Sequence, residues 1–363
     1  MATRHLLGGD CTVKKINITI SQLFTISWLI GITIHSTWSA DSFHQQVEEI
    51  VQRSTDNQQT TIIGREGWLF FLPELQHLVA GPFWGENAKK VSNISNPDYA
   101  DPLPAILDFK AQLDSVDIDL LLVPVPAKAT IYPEMLVTGT DIPTKRTELV
   151  SLFGQHRQFY RLLRQKGVQV LDLTEVFLDH RSRHQIYCRQ DTHWSSQACL
   201  LAAKEIGRIV GNSDWRKQVI GQASYRLSTV QVGIVGDLGV SLSPANDKEV
   251  LTVTVVSQDN GTTIKPWRES PVLLLGDSHN LVFHAGGDMH VQGAGLADHL
   301  AHQLGFPIDL VAVRGSGATP ARLSLFRRRD NLAGKRLVIW CFTVREFTEG
   351  QGWRKVPVIR PGR

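Results

Sequence analysis

The chain is 363 residues long, with 42% hydrophobic and 20% charged side chains and a formal net charge of +3. That length and composition fit one large globular domain, with or without an insertion, and exclude collagenous, disordered and multi-pass membrane classes. Arg4, Lys14 and Lys15 against Asp10 account for two of the three net charges, so residues 41–363 are close to neutral and give no ground for nucleic-acid binding.

The first forty residues read apart from the rest. Lys14 and Lys15 precede an apolar run from Ile16 to Ile34, and small residues surround the Ala40-Asp41 step. A positive flank before an apolar run predicts an export signal or an uncleaved N-terminal membrane anchor over residues 1–40. An extracytoplasmic, periplasmic location follows. The main globular domain is then expected over residues 41–363.

Within it, Phe43, Val47, Ile50 and Val51 predict a short amphipathic helix, and residues 62–71 predict two short strands around a glycine turn. Residues 73–101 read as irregular. Helices are then expected at 103–113, 147–165, 195–209 and 294–304. Strands are expected at 118–125, 168–171, 251–256, 272–275, 308–313 and 337–342. Continuous apolar runs such as Leu120-Leu121-Leu122-Val123 suit strands buried on both faces. Their alternation with helices predicts an α/β fold with a mostly parallel sheet in a three-layer α/β/α arrangement. Residues 211–247 are the least regular and read as an insertion. Cys188, Cys199 and Cys341 fit either one disulfide with one free thiol or three buried thiols.

Two short motifs carry chemistry. The apolar run Val272–Leu275 ends in Gly276-Asp277-Ser278, which places a serine hydroxyl on a tight turn at a strand's carboxyl end, where parallel sheets collect ligands. Asp191-Thr192-His193-Trp194 puts an acid two residues before a histidine, just ahead of a helix. A serine hydroxyl needs a base within about 3 Å, and the base needs a partner that holds its tautomer. Taken alone, each motif also reads as an ordinary turn or helix cap.

Together, the strand-GDS and D-x-H-W motifs resemble the alginate O-acetyltransferase AlgJ/AlgX-like family, a permuted branch of the SGNH hydrolase-like superfamily. Gly64-Arg65-Glu66-Gly67-Trp68-Leu69-Phe70, Val123-Pro124-Val125-Pro126-Ala127-Lys128 and Tyr132-Pro133-Glu134 agree with it. The resemblance implies an SGNH hydrolase-like fold and a catalytic set of Ser278, His193 and Asp191. It implies the Ser278 and Gly317 backbone N–H groups as oxyanion donors, with no metal and no cofactor. The block after the strand at 337–342 lacks the family's asparagine, and Arg345 stands nearby instead. The implied activity is transfer of an acetyl group, through an acetyl-serine, to hydroxyls of an exported polysaccharide. An integral membrane acyltransferase would supply the donor. An acetylesterase with the same residues, and an inactive carbohydrate-binding scaffold, are the alternatives. His279 is expected to point away from the serine, and His284, His290, His299 and His302 read as surface or internally satisfied residues. Lys128 reads equally as a substrate ligand or a solvated side chain.

Overall fold

The computed structural model describes residues 40–137, 146–152, 154–219, 223–242 and 248–360. The expected export or anchor segment and Cys11 lie outside the described residues. Among the described residues, no helix is long and apolar enough to cross a membrane.

Among the described residues, nine strands form three sheets. A short antiparallel pair joins β1 (Thr61–Ile63) to β2 (Leu69–Phe71). The central sheet contains β3 (Asp119–Val125), β4 (Gln169–Val170), β7 (Val272–Gly276), β8 (Asp309–Ala312) and β9 (Leu337–Thr343) in the order β4-β3-β9-β7-β8. Every pairing in it is parallel. An antiparallel ribbon joins β5 (Tyr225–Ile234) to β6 (Glu249–Gln258). Every residue of β7 and of β9 is buried, so the sheet is covered on both faces, as their unbroken apolar runs predict. The expected α/β class with a mostly parallel sheet therefore holds.

Three expectations differ in detail. Residues 72–79 are helical, not irregular, because Pro73 occupies the first turn, where a missing N–H costs nothing, and Leu72, Leu75 and Leu78 share a buried face. The helix expected over 147–165 is two helices, Arg146–Ser151 and Gly154–Gln165, the first packed on the helix Thr174–His180 and the second on β4. Residues 211–247 contain β5 and the helix Asp237–Leu242. Most of β5 faces solvent, so it carries no inward apolar alternation, and only pairing with β6 defines it. The three cysteines are free and buried, which settles the disulfide question for them.

The carboxyl ends of the sheet converge. Ser278 follows β7, Arg345 follows β9, Lys128 follows β3 and the glycine block 315–317 follows β8. Gly276 makes the turn after β7 possible. A Cβ there would overlap the Cys341 carbonyl oxygen and crowd Asn280 Nδ2, which itself donates to that carbonyl at 2.8 Å. Gly276→Ala should therefore lower stability by about 3 kcal/mol, the upper end for forced overpacking. Urea unfolding followed by circular dichroism checks this, with a lower midpoint at unchanged slope as the expected result.

Candidate active site

Ser278 opens a single 3-10 turn, and Asp277 caps it by accepting from His279 N at 2.9 Å. The other Asp277 oxygen accepts from Thr343 N at 2.8 Å, which ties the serine turn to the end of β9. Burial pushes the Asp277 carboxyl up, but the adjacent His279, Arg345 and this N–H outweigh it and hold the value near about 2. The carboxylate is thus a fixed negative brace beneath the serine.

His193 comes from a loop outside the sheet. Its Nε2 lies 2.8 Å from Ser278 Oγ, and its Nδ1 lies 2.6 Å from Asp191 Oδ1. Asp191 Oδ1 also accepts from His193 N at 2.9 Å. The three side chains are nearly dry, at 7%, 5% and 2% exposure for Ser278, His193 and Asp191. Burial works against the imidazolium, but the Asp191 carboxylate outweighs it, so the His193 pKa is raised. Burial raises Asp191 too, yet His193 and His290 hold it well below the usual carboxylate range. The arrangement is a serine hydroxyl hydrogen-bonded to a base whose far nitrogen faces a permanent anion. That geometry can take a proton from the hydroxyl and return it to a leaving group.

Gly317 packs behind the serine turn: a Cβ there would sit 2.6 Å from Phe342 Cβ and 2.9 Å from Asp277 N. Trp340 Nε1 donates to its carbonyl at 2.7 Å. Glu346 anchors the same block by accepting from Ser316 Oγ at 2.6 Å and Ala318 N at 3.3 Å. Burial pushes the Glu346 carboxyl up to about 7. Arg345 lines the cleft with Ser278, its guanidinium 5.3 Å from the Phe71 ring centroid. All five residues expected at the site are therefore gathered at one end of the sheet.

Sequence reasoning passed over several others. His290 Nε2 lies 3.0 Å from Asp191 Oδ2, so it belongs to the site and not to the surface. Asp237 accepts from Thr192 N at 2.7 Å and from Thr192 Oγ1 at 2.6 Å, while its own N–H donates to Asp191 Oδ2 at 3.1 Å. Lys128 is buried and is neither solvated nor in the cleft; its Nζ donates to the carbonyls of Leu69, Arg189 and Asp191 at 2.8, 3.3 and 2.5 Å. No local pattern marks Asp237 or His290, because both act across 45 or more residues. Asp191, His193 and Asp237 bring ligating atoms within 4.8 Å of one another. Both His193 nitrogens are already engaged by Asp191 and Ser278, so the cluster reads as a proton relay and not as a cation cradle.

Two openings meet at His193. One, of about 310 Å³, is lined by Ser278, Phe71, Arg345 and Gly315. The other, of about 820 Å³, runs past Asp191 and His290 to Val232, Val235 and Val240. Met289, Asp237 and Arg314 border both.

A family model described as an SGNH hydrolase-like domain, acetyltransferase AlgX, matches residues 61–344. The chain is 25% identical over 230 residues to a probable alginate O-acetylase AlgJ from Pseudomonas putida, which covers 60% of this chain and 54% of that protein. A probable alginate O-acetylase AlgJ from Pseudomonas syringae pv. tomato is 25% identical over 150 residues, 41% of this chain and 33% of the relative. The matched parts thus span a third to about half the length of these relatives. Among solved structures, the O-acetyltransferase domain of Pseudomonas putida AlgJ superposes with a TM-score of 0.55 at 20% identity, covering 79% of this chain and 92% of that one. Pseudomonas aeruginosa AlgX superposes with a TM-score of 0.57 at 14% identity, covering 78% and 61%. At those identities the likeness is one of fold.

The raised His193 value has a signed consequence. The ring stabilises the fold below about pH 6.5, its ordinary value, and that contribution is lost as pH rises through the raised folded-state value. Asp191, held low, stabilises the fold above its ordinary range near about 3.9 and loses this contribution as pH falls through its depressed value. A nuclear magnetic resonance titration of the His193 ring should show a midpoint above about 6.5. Asp191→Asn should bring that midpoint down, because burial then acts unopposed by the carboxylate.

Proposed function

The chain belongs to the family of AlgX-type acetyltransferases with an SGNH hydrolase-like domain, and from that premise we propose that it moves an acetyl group, by way of an acetyl-serine, to hydroxyls of an exported polysaccharide, alginate or a similar polymer. The observation that carries this reading is the continuous relay Asp191–His193–Ser278 at 2.6 and 2.8 Å, set at the carboxyl ends of a parallel sheet.

His193 Nε2 takes the Ser278 proton as Oγ attacks the acetyl carbonyl. The carbonyl π pair moves onto oxygen. The Ser278 and Gly317 N–H groups receive that oxyanion; neither is committed to another hydrogen bond among the described residues. A donor of this kind is worth about 3 kcal/mol in the transition state. The tetrahedral centre collapses, the donor oxygen leaves with the proton from His193, and acetyl-Ser278 remains. A sugar hydroxyl then repeats the attack. His193 takes its proton, the ester bond to Oγ breaks, and Ser278 recovers a proton from the imidazolium. Asp191 keeps the imidazolium oriented and stable throughout.

An ester-to-ester exchange has little net driving force, so acceptor positioning against water decides the product. The opening of about 820 Å³ beside His193 supports a sugar acceptor, since it lies within the usual size of small-molecule sites and adjoins the base. Arg345, stacked on Phe71 in the smaller opening, supports a role in holding the donor or acceptor beside Ser278. The proposed setting is extracytoplasmic, with residues 1–40 as export signal or anchor. The proposed donor partner is an integral membrane acyltransferase.

The test uses a chromogenic acetyl ester with and without oligosaccharide acceptors, followed by mass spectrometry. Wild-type protein should form acetylated sugar. Ser278→Ala should lose this by on the order of 10⁶-fold, the scale for removing a nucleophile of such a set. Free acetate alone, lost in the variant, would point to an esterase. Equal ester cleavage by both proteins would leave only a carbohydrate-binding scaffold.

A further inference from the structure

His290 is held in place at a cost the fold does not otherwise require. It ends the 3-10 turn Gly287–Met289 with φ +68° and ψ −138°, a backbone region that belongs to glycine. Phe283, also at positive φ (+59°), has its ring centroid 5.2 Å from the imidazole. Strain of this kind persists where surrounding contacts over-determine it, and it concentrates at functional sites. Here the contact is specific: His290 Nε2 meets Asp191 Oδ2 at 3.0 Å, with the histidine side chain only 7% exposed. A carboxylate only accepts, so Nε2 carries the proton.

Asp191 is thereby saturated. Oδ1 accepts from His193 N and Nδ1, and Oδ2 accepts from Asp237 N and His290 Nε2. Of the four donors, two come from His193 itself and one is a backbone group. His290 is the remaining side chain, and the one that lines the larger opening. We propose that His290 is a positioning residue that fixes the rotation of the Asp191 carboxylate and draws part of its charge away from His193, so that the base is neither misaligned nor locked as imidazolium. The proposal rests on the catalytic reading of Ser278, His193 and Asp191 given above.

The charged and titratable groups around His290 are Asp191, His193, Asp237 and Asp288, with Arg314 paired to Asp288. Loss of the His290 donor returns negative charge to Asp191, which holds the His193 proton more tightly. The expected consequence is an upward shift of the His193 titration midpoint and of the ascending limb of kcat/KM against pH. Loss of orientation should also lower kcat by about 10²-fold, the scale for a misplaced catalytic group, with KM little changed.

The experiment compares wild type, His290→Gly and His290→Gln. Three readouts are needed: the His193 ring titration by nuclear magnetic resonance, the steady-state ester assay across pH, and the melting temperature. Glycine relieves the positive φ while deleting the donor. His290→Gly should titrate higher at His193 and turn over more slowly than wild type. Glutamine keeps a donor of similar reach and should recover part of the rate and return the midpoint toward wild type. An unmoved midpoint and unchanged kcat in both variants would overturn the proposal. So would a rate loss that tracks a fall in melting temperature with the midpoint unmoved, since that is what a purely structural residue would give. The ring titration needs no turnover, so it tests His290 even if wild-type protein proves unable to transfer or hydrolyse acetyl esters.

Discussion

A buried ammonium joins the two halves of the site. Ser278 grows out of the central sheet, whereas Asp191 and His193 lie on a loop that belongs to none of its strands. Lys128, placed at the end of β3, reaches the carbonyls of Leu69, Arg189 and Asp191 with one Nζ. Burial lowers its pKa, with Glu74 and Asp191 acting in the other direction. Deleting one partner from such a buried cluster typically costs more than the cluster adds to stability, because uncompensated polar groups remain. Its value is therefore positional: it sets the height of the Asp191–His193 loop against the sheet.

The same loop is held from other directions. Glu249 at the start of β6 accepts from Arg189 N at 2.9 Å and Gln190 N at 3.3 Å. Tyr187 Oη donates to the Pro126 carbonyl at the end of β3. Trp194 Nε1 donates to His279 O at 2.9 Å, crossing directly to the serine turn. Backbone polar groups in a buried loop need partners, and here each partner comes from a different element. The loop is thereby tied to β3, β6 and the serine turn at once.

Charge is arranged with similar economy. Carboxylates surround His193 on one side, and Arg345 stands on the other, beside the serine. Asp277 and Glu346 sit beneath Ser278 and the glycine block; the Asp277 carboxyl is held low, at about 2, and burial pushes the Glu346 carboxyl up to about 7. Because burial disfavours the charged forms of Asp191, His193, Asp277 and Glu346, their states depend on neighbouring charges and specific hydrogen-bond donors. The glycine block is clamped by Trp340 and Glu346.

The amino-acid sequence determined the elements whose burial is symmetric. Unbroken apolar runs made β3, β7 and β9 legible, and a strand ending in Gly276-Asp277-Ser278 beside a D-x-H pair made the Ser278, His193 and Asp191 cluster legible, since both signals are local. The ribbon strand β5 was not legible, because a strand exposed along most of its length has no apolar period to read. Nor were the roles of Lys128, Asp237 and His290. A lysine after a strand, an acid in an irregular stretch and one histidine among many look alike until the chain closes. Only the tertiary structure decided that these three meet at Asp191, because a hydrogen bond depends on the final separation of two atoms and not on their distance along the chain.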